Sequence, residues 1–104
     1  MAGKTPPDAI ACGNDLIAFQ VLNGLKVAGI SVPDDVWVTG FDGVQMSAWP
    51  IIDLTTMRQP LDVMAADAAD TLVSRIEGKT SMHKVIQYET EFIIRETTNN
   101  VPIS

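Results

Sequence analysis

"VWVTGFDGVQMSAWP", Val36 to Pro50, opens with a β-branched and aromatic run that stops at glycine, with one aspartate, Asp42, between Gly40 and Gly43. Val36 to Phe41 reads as a strand and Asp42-Gly43 as the turn that ends it. Asp42 is then either turn chemistry or a ligand contact, and the residues themselves leave both readings open. Upstream, Val32-Pro33-Asp34-Asp35 is a breaker cluster. Before it, apolar residues recur at helical spacing from Leu16 until Gly29, and before that Asp8 to Cys12 (DAIAC) is a short apolar run closed by Gly13-Asn14-Asp15. The first half of the chain is therefore strand, turn, helix, strand, turn.

Downstream, Gln45 to Asp53 is irregular, with room for one helical turn before Pro50, and Leu54 to Met57 is short enough for a third strand. Pro60 suits the first turn of a helix that runs to Ile76, with Asp62 early, Arg75 in the last turn and Gly78 as its stop. Lys84 to Tyr88 and Thr90 to Glu96 read as two closing strands, and Thr97 to Ser104 as a polar tail. Strands alternating with helices argue for βαβ units, so the expected fold is α/β with a parallel sheet. In such a sheet the turns at Gly13 to Asp15 and at Gly40 to Gly43 emerge together at the carboxyl edge, where open α/β folds bind ligands. Asn14 and Asp42 are thereby expected to converge.

The composition excludes several functions. The 104 residues suffice for one domain, and 46% of them are hydrophobic. Seven basic against thirteen acidic residues give a net charge of −6, which repels phosphate backbones, so this chain alone is not expected to bind DNA. The opening MAGKTPPDAI lacks the apolar core of a secretory signal and no run is long enough for a membrane span, which points to the cytoplasm. One cysteine, Cys12, allows no internal disulfide, and one histidine, His83, makes no metal set, so neither a metal nor another cofactor is expected. Cys12 reads as a small buried hydrophobe, His83 as a solvated strand end, and Ser47, Thr55 and Thr56 show no triad signature, all of which disfavours an enzyme.

Two side-chain groups stand out. Asn14 brings an amide oxygen and an NH2 group and Asp42 two acceptor oxygens, a combination suited to ligand hydroxyls; Asn14 or Asp15 equally fits a helix N-cap. On the first helix, Ile17, Ala18, Val21, Leu22 and Leu25 form one apolar arc for the sheet, while Leu16 and Phe19 fall beside Asn23 on the other flank. That flank is covered either by a loop of the same domain or by another subunit. Trp37 reads as core or interface, and Trp49 as a pocket or interface residue.

The ordered blocks "PPDAIACGNDLIAFQVLNGLKVAGISVPDDVWVTGFDGV", "LTTMRQPLDVMAADAADTLVSRIEG" and "ETEFIIRETT" resemble the carboxyl-terminal part of the LacI-type (lactose repressor/galactose repressor) transcription regulators, from about Pro7 to Thr98. The resemblance implies a truncated lobe of a sensor domain built like a periplasmic sugar-binding protein, with residues 1–6 as a tail, 7–98 as the effector-binding portion and 99–104 as a second tail. It implies effector contacts from Asn14, in the block that usually reads A-N-D, and from Asp42, in the block that usually reads G-F-D-D. It adds Gln59 in "TTMRQP", at the crossing between lobes. It implies a homodimer paired through the first helix, with Leu16, Phe19, Asn23 and Trp49 at the contact. Gly13 and Gly43, and Ile52-Asp53-Leu54, depart from the family pattern, which bears on the ligand type.

Nothing in the chain resembles the family's helix-turn-helix, its hinge helix or most of the first lobe, so operator DNA would be met through a domain not in this sequence. In the resembled fold the helix from Leu61 to Ile76 packs on the first lobe, and its stripe (Leu61, Ala65, Ala68, Leu72, Ile76) is expected to be covered here by an oligomer or a swapped arrangement. The implied function is sensing a sugar-like effector for a transcription regulator. A solute-binding protein for transport and a small α/β hydrolase are the alternatives.

Overall fold

The computed structural model describes residues 7–79 and 85–99. Four strands, β1 (Ala9–Ala11), β2 (Trp37–Asp42), β3 (Thr55–Arg58) and β4 (Glu91–Ile93), form one sheet in that spatial order. Two helices, α1 (Asp15–Val27) and α2 (Leu61–Ile76), accompany them, with short 3-10 turns at Gln45–Ala48 and Glu96–Thr98. β1, β2 and β3 run parallel, with Ala9 opposite Trp37 and Thr39 opposite Thr55, so the expected parallel βαβ organisation is what the chain adopts.

Local chemistry sets the boundaries. Asn14 caps α1, its side-chain oxygen accepting from the Ile17 N–H at 2.8 Å, and Asp15 and Lys26 lie at the ends that the helix dipole favours for their charges. Gly29 then takes φ +75, a left-handed conformation in which the following Ile30 N–H closes back on the Leu25 carbonyl. α2 begins after Pro60, carries Asp62 early and Arg75 late, and stops before Gly78 at φ +74.

The core is one-sided. Ala18 and Leu25 of α1 pack on Val36, Val38 and Leu54, with Ile10, Phe19, Val21 and Leu22 among the partly buried residues around them. Alternation along β2 sends Val38 and Gly40 toward α1 and Trp37, Thr39 and Phe41 to the other face. α2 contributes no buried residue, and Leu72 and Ile76 of its stripe are exposed.

Several expectations are corrected. Val85 to Tyr88 pairs with no strand; the Tyr88 hydroxyl instead donates to Asp67 of α2. Only Glu91–Ile93 of the last expected strand forms, and it runs antiparallel to β3, with Met57 opposite Phe92. The expected polar tail begins too early: Thr97 is 4% exposed, and its hydroxyl accepts from the Thr55 N–H at 2.9 Å. On α1, Ile17 is 50% exposed rather than in the arc, whereas Phe19 packs against the core. The buried line is Asp15, Ala18 and Leu25, with Leu22 partly buried between them, so the helix is rolled by about one position from the arc read off its apolar residues. His83 and Lys84 lie outside the described residues.

Candidate functional site

β2 ends on Asp42 itself. Its φ of 129° lies in a region that a side chain rarely adopts, and Gly43 follows at φ +75. This carries the Asp42 side chain to the start of the segment after β3. There Asp42 Oδ1 accepts from Gln59 Nε2 at 2.7 Å, and the Asp42 carbonyl accepts from the Gln59 N–H at 2.9 Å. Two of the three residues named as candidate contacts are thus joined, both half-buried. Asp42 Oδ2 and the Gln59 side-chain carbonyl have no partner among the described residues.

Asn14 stands at the same edge, just after β1, but its oxygen is committed to the N-cap of α1. Capping therefore engages only one end of the side chain. The oxygen serves the helix and the NH2 group is left without a partner among the described residues.

A residue that sequence reading took only for a possible cap connects the two turns. Asp15 is 0% exposed. Its Oδ2 accepts from the N–H groups of Gly43 (3.0 Å) and Val44 (2.9 Å) and from the Ser47 hydroxyl (2.6 Å), and its Oδ1 from the Thr56 hydroxyl at 2.6 Å. Four donors on one acceptor-only group satisfy a buried carboxylate that would otherwise be costly. The signal that could have found it is Gly40, a glycine inside a β-branched run, which marks a close approach. A Cβ there would overlap Asp15 Oδ1 and lie 2.9 Å from Leu54 Cδ2.

The other residues weighed as nucleophiles are accounted for structurally. Ser47 and Thr56 hold Asp15, and the Thr55 hydroxyl lies 2.7 Å from that of Thr98. Cys12 packs against the core, and burial pushes its thiol pKa up, away from a reactive thiolate. Trp37 is half-buried, while Trp49 is 51% exposed just after the 3-10 turn. A depression of about 560 Å³ lies at the opposite, amino edge of the sheet, between Lys26, Ile30, Pro50 and Glu96, and includes none of Asn14, Asp42 and Gln59.

A mixed sheet with three parallel strands and polar side chains at their carboxyl edge defines the class: an open α/β lobe. Residues 1–98 match the family model of the periplasmic binding protein-like domain, and the chain belongs to that family. Its match is to the LacI-type branch. It is 31% identical over 101 residues to the HTH-type transcriptional repressor PurR of Photobacterium profundum, covering 97% of this chain and 30% of that protein. A LacI-type transcription regulator from Bifidobacterium animalis superposes with a TM-score of 0.80 at 40% identity, over 88% of this chain and 32% of that one. A LacI family regulator from Enterococcus faecium with bound ribose gives 0.84 at 26% identity, over 95% and 37%. The chain spans under a third of the length of the curated relatives it matches. The expectation of a non-enzymatic chain agrees with relatives named as repressors.

Proposed function

We propose that this chain is the effector-contacting and subunit-pairing segment of a LacI-type transcription regulator, with Asn14, Asp42 and Gln59 touching the effector. The observation that carries the reading is the Asp42–Gln59 hydrogen bond at the carboxyl edge. Among the described residues it leaves a carboxylate oxygen, an amide oxygen, the second N–H of Gln59 Nε2 and, from Asn14, an NH2 group. Acceptors and donors side by side, with one carboxylate charge, suit a neutral polyhydroxy compound and disfavour a phosphate. The ribose bound by the Enterococcus faecium relative supports a sugar-like effector.

In the whole regulator, titration calorimetry against a panel of pentoses, hexoses and nucleosides is expected to find one such ligand. Asp42→Ala should weaken it by roughly ten- to a hundredfold, the range for losing a hydrogen bond to a charged group. A ligand whose affinity survives that change within twofold would take Asp42 out of the site.

The effector would act by favouring one relative placement of two lobes, a population shift that reaches operator DNA through an amino-terminal domain. A regulator acting in this way would work in the cytoplasm. Among the described residues no helix is long and apolar enough to cross a membrane. Relatives named as repressors favour regulation over transport.

We assign subunit pairing to Leu16, Phe19, Asn23 and Trp49. Leu16 is 67% exposed and Trp49 51%, while Phe19 already packs on the core. The uncovered stripe of α2 supports an oligomeric or swapped arrangement as well. Sedimentation velocity on this chain is expected to give a dimer or larger species, and Leu72→Glu to shift it toward monomer. A well-folded wild-type monomer would sink the oligomer reading.

A further inference from the structure

We infer that Asp15 is the positioning residue of the carboxyl edge: through its buried carboxylate, the first turn of α1 sets the conformation of Asp42 and with it the Asp42–Gln59 pair. The inference rests on reading that edge as the effector site. Three observations carry it. First, Asp15 is not needed as the cap of α1, since Asn14 already accepts from the Ile17 N–H. Its carboxylate is turned away from solvent and spent on other segments, with Gly43 and Val44 on one side and Thr56 on the other.

Second, the two N–H groups that converge on Oδ2 belong to the two residues directly after Asp42. Consecutive backbone N–H groups aimed at one anion fix the peptide planes that carry them. Asp42 at φ 129 persists only where its surroundings over-determine it, and these planes, with the Ser47 hydroxyl on the same oxygen, supply that constraint. Third, Thr56, which donates to Oδ1, stands in β3 three residues before Gln59. One carboxylate therefore pins both chain segments that bring Asp42 and Gln59 together.

The alternative is that Asp15 merely fastens α1 to the sheet. Asp15→Asn separates the two, because it keeps the size and leaves an amide oxygen for the three donors, while the Thr56 hydroxyl turns to accept from the new NH2 group. Charge-assisted hydrogen bonds are about twice as strong as neutral ones, so amide exchange at Gly43 and Val44 should accelerate roughly tenfold in the variant. With sheet amides unchanged, the two Gln59 Nε2 proton signals should move toward the positions of an unpaired glutamine amide in the ¹⁵N spectrum of the full chain. Asp42→Ala should produce the same Gln59 signature with Gly43 and Val44 protected as in the wild type. Faster exchange at Gly43 and Val44 with the Gln59 signals unmoved would make Asp15 a fastening only and overturn the inference, as would an Asp15→Asn spectrum unchanged throughout.

A separate titration of the wild-type regulator with D-ribose reads the effector assignment by itself. Perturbation at Asn14, Asp42 and Gln59 supports it; perturbation confined to other residues counts against the assignment and leaves the Asp15 result standing.

Discussion

Asp15→Ala should destabilise the fold by about 4 kcal/mol or more, a large share of the 5–15 kcal/mol of a typical domain. The side chain is fully buried and accepts from four donors. The Ser47 and Thr56 hydroxyls can rotate toward other acceptors, but the Gly43 and Val44 N–H groups are fixed by the backbone and lose the acceptor they have among the described residues. Each buried orphan costs about 1–3 kcal/mol, and the cavity left by the carboxyl group adds to that. Urea denaturation followed by circular dichroism measures the loss. A midpoint shift equivalent to under 1 kcal/mol would mean that water replaces the carboxylate readily.

Gly40→Ala is the second large effect, and it acts on the same contact from the other side. Its methyl group would overlap Asp15 Oδ1, lie 2.9 Å from Leu54 Cδ2 and 3.3 Å from Asp15 Cα. Asp15 and Leu54 are both fully buried, so neither can swing out to make room. Overpacking of this kind costs about 1–3 kcal/mol. The two substitutions should be strongly non-additive, because removing the Asp15 carboxyl frees the space that the new methyl needs. A double-mutant cycle is expected to give at least about 1 kcal/mol of coupling, with Gly40→Ala milder in the Asp15→Ala background. Additive costs would show that the strand moves away rather than pressing on the carboxylate.

Much of the fold could be read along the chain because its signals are local. Asn14, Gly29, Pro60 and Gly78 punctuate the helices within one or two residues of where they end. The β-branched run from Val36 gave the central strand, and the irregular stretch after Asp42 does contain the short helical turn. Direction and pairing were not local. β4 runs antiparallel to β3 and Val85 to Tyr88 stays out of the sheet, and strand pairing of this kind is set by partners distant in sequence. Thr97 looked like polar tail because its burial comes from Thr55, distant in sequence. The roll of α1 was misread for a related reason: a polar residue, Asp15, heads its buried line, and apolar periodicity gives such a residue no weight.

The candidate site was legible in outline. Asn14, Asp42 and Gln59 do lie at or just beyond strand ends on one edge, and the bond between Asp42 and Gln59 could not be foreseen from residues 17 apart. Asn14 takes the cap role in α1, and its NH2 group has no partner among the described residues.

The four donors on Asp15 come from residues 28, 29, 32 and 41 positions further along the chain. Closing loops of those lengths costs entropy before any bond is gained, but Gly43, Val44 and Ser47 all precede β3, so only the Thr56 arm has to wait for that strand. During synthesis three donors can reach Asp15 Oδ2 once β2 has paired with β1, while Oδ1 stays without Thr56 until β3 docks. A nascent chain halted before β3 would hold the turn after Asp42 in place with no Gln59 to pair with it.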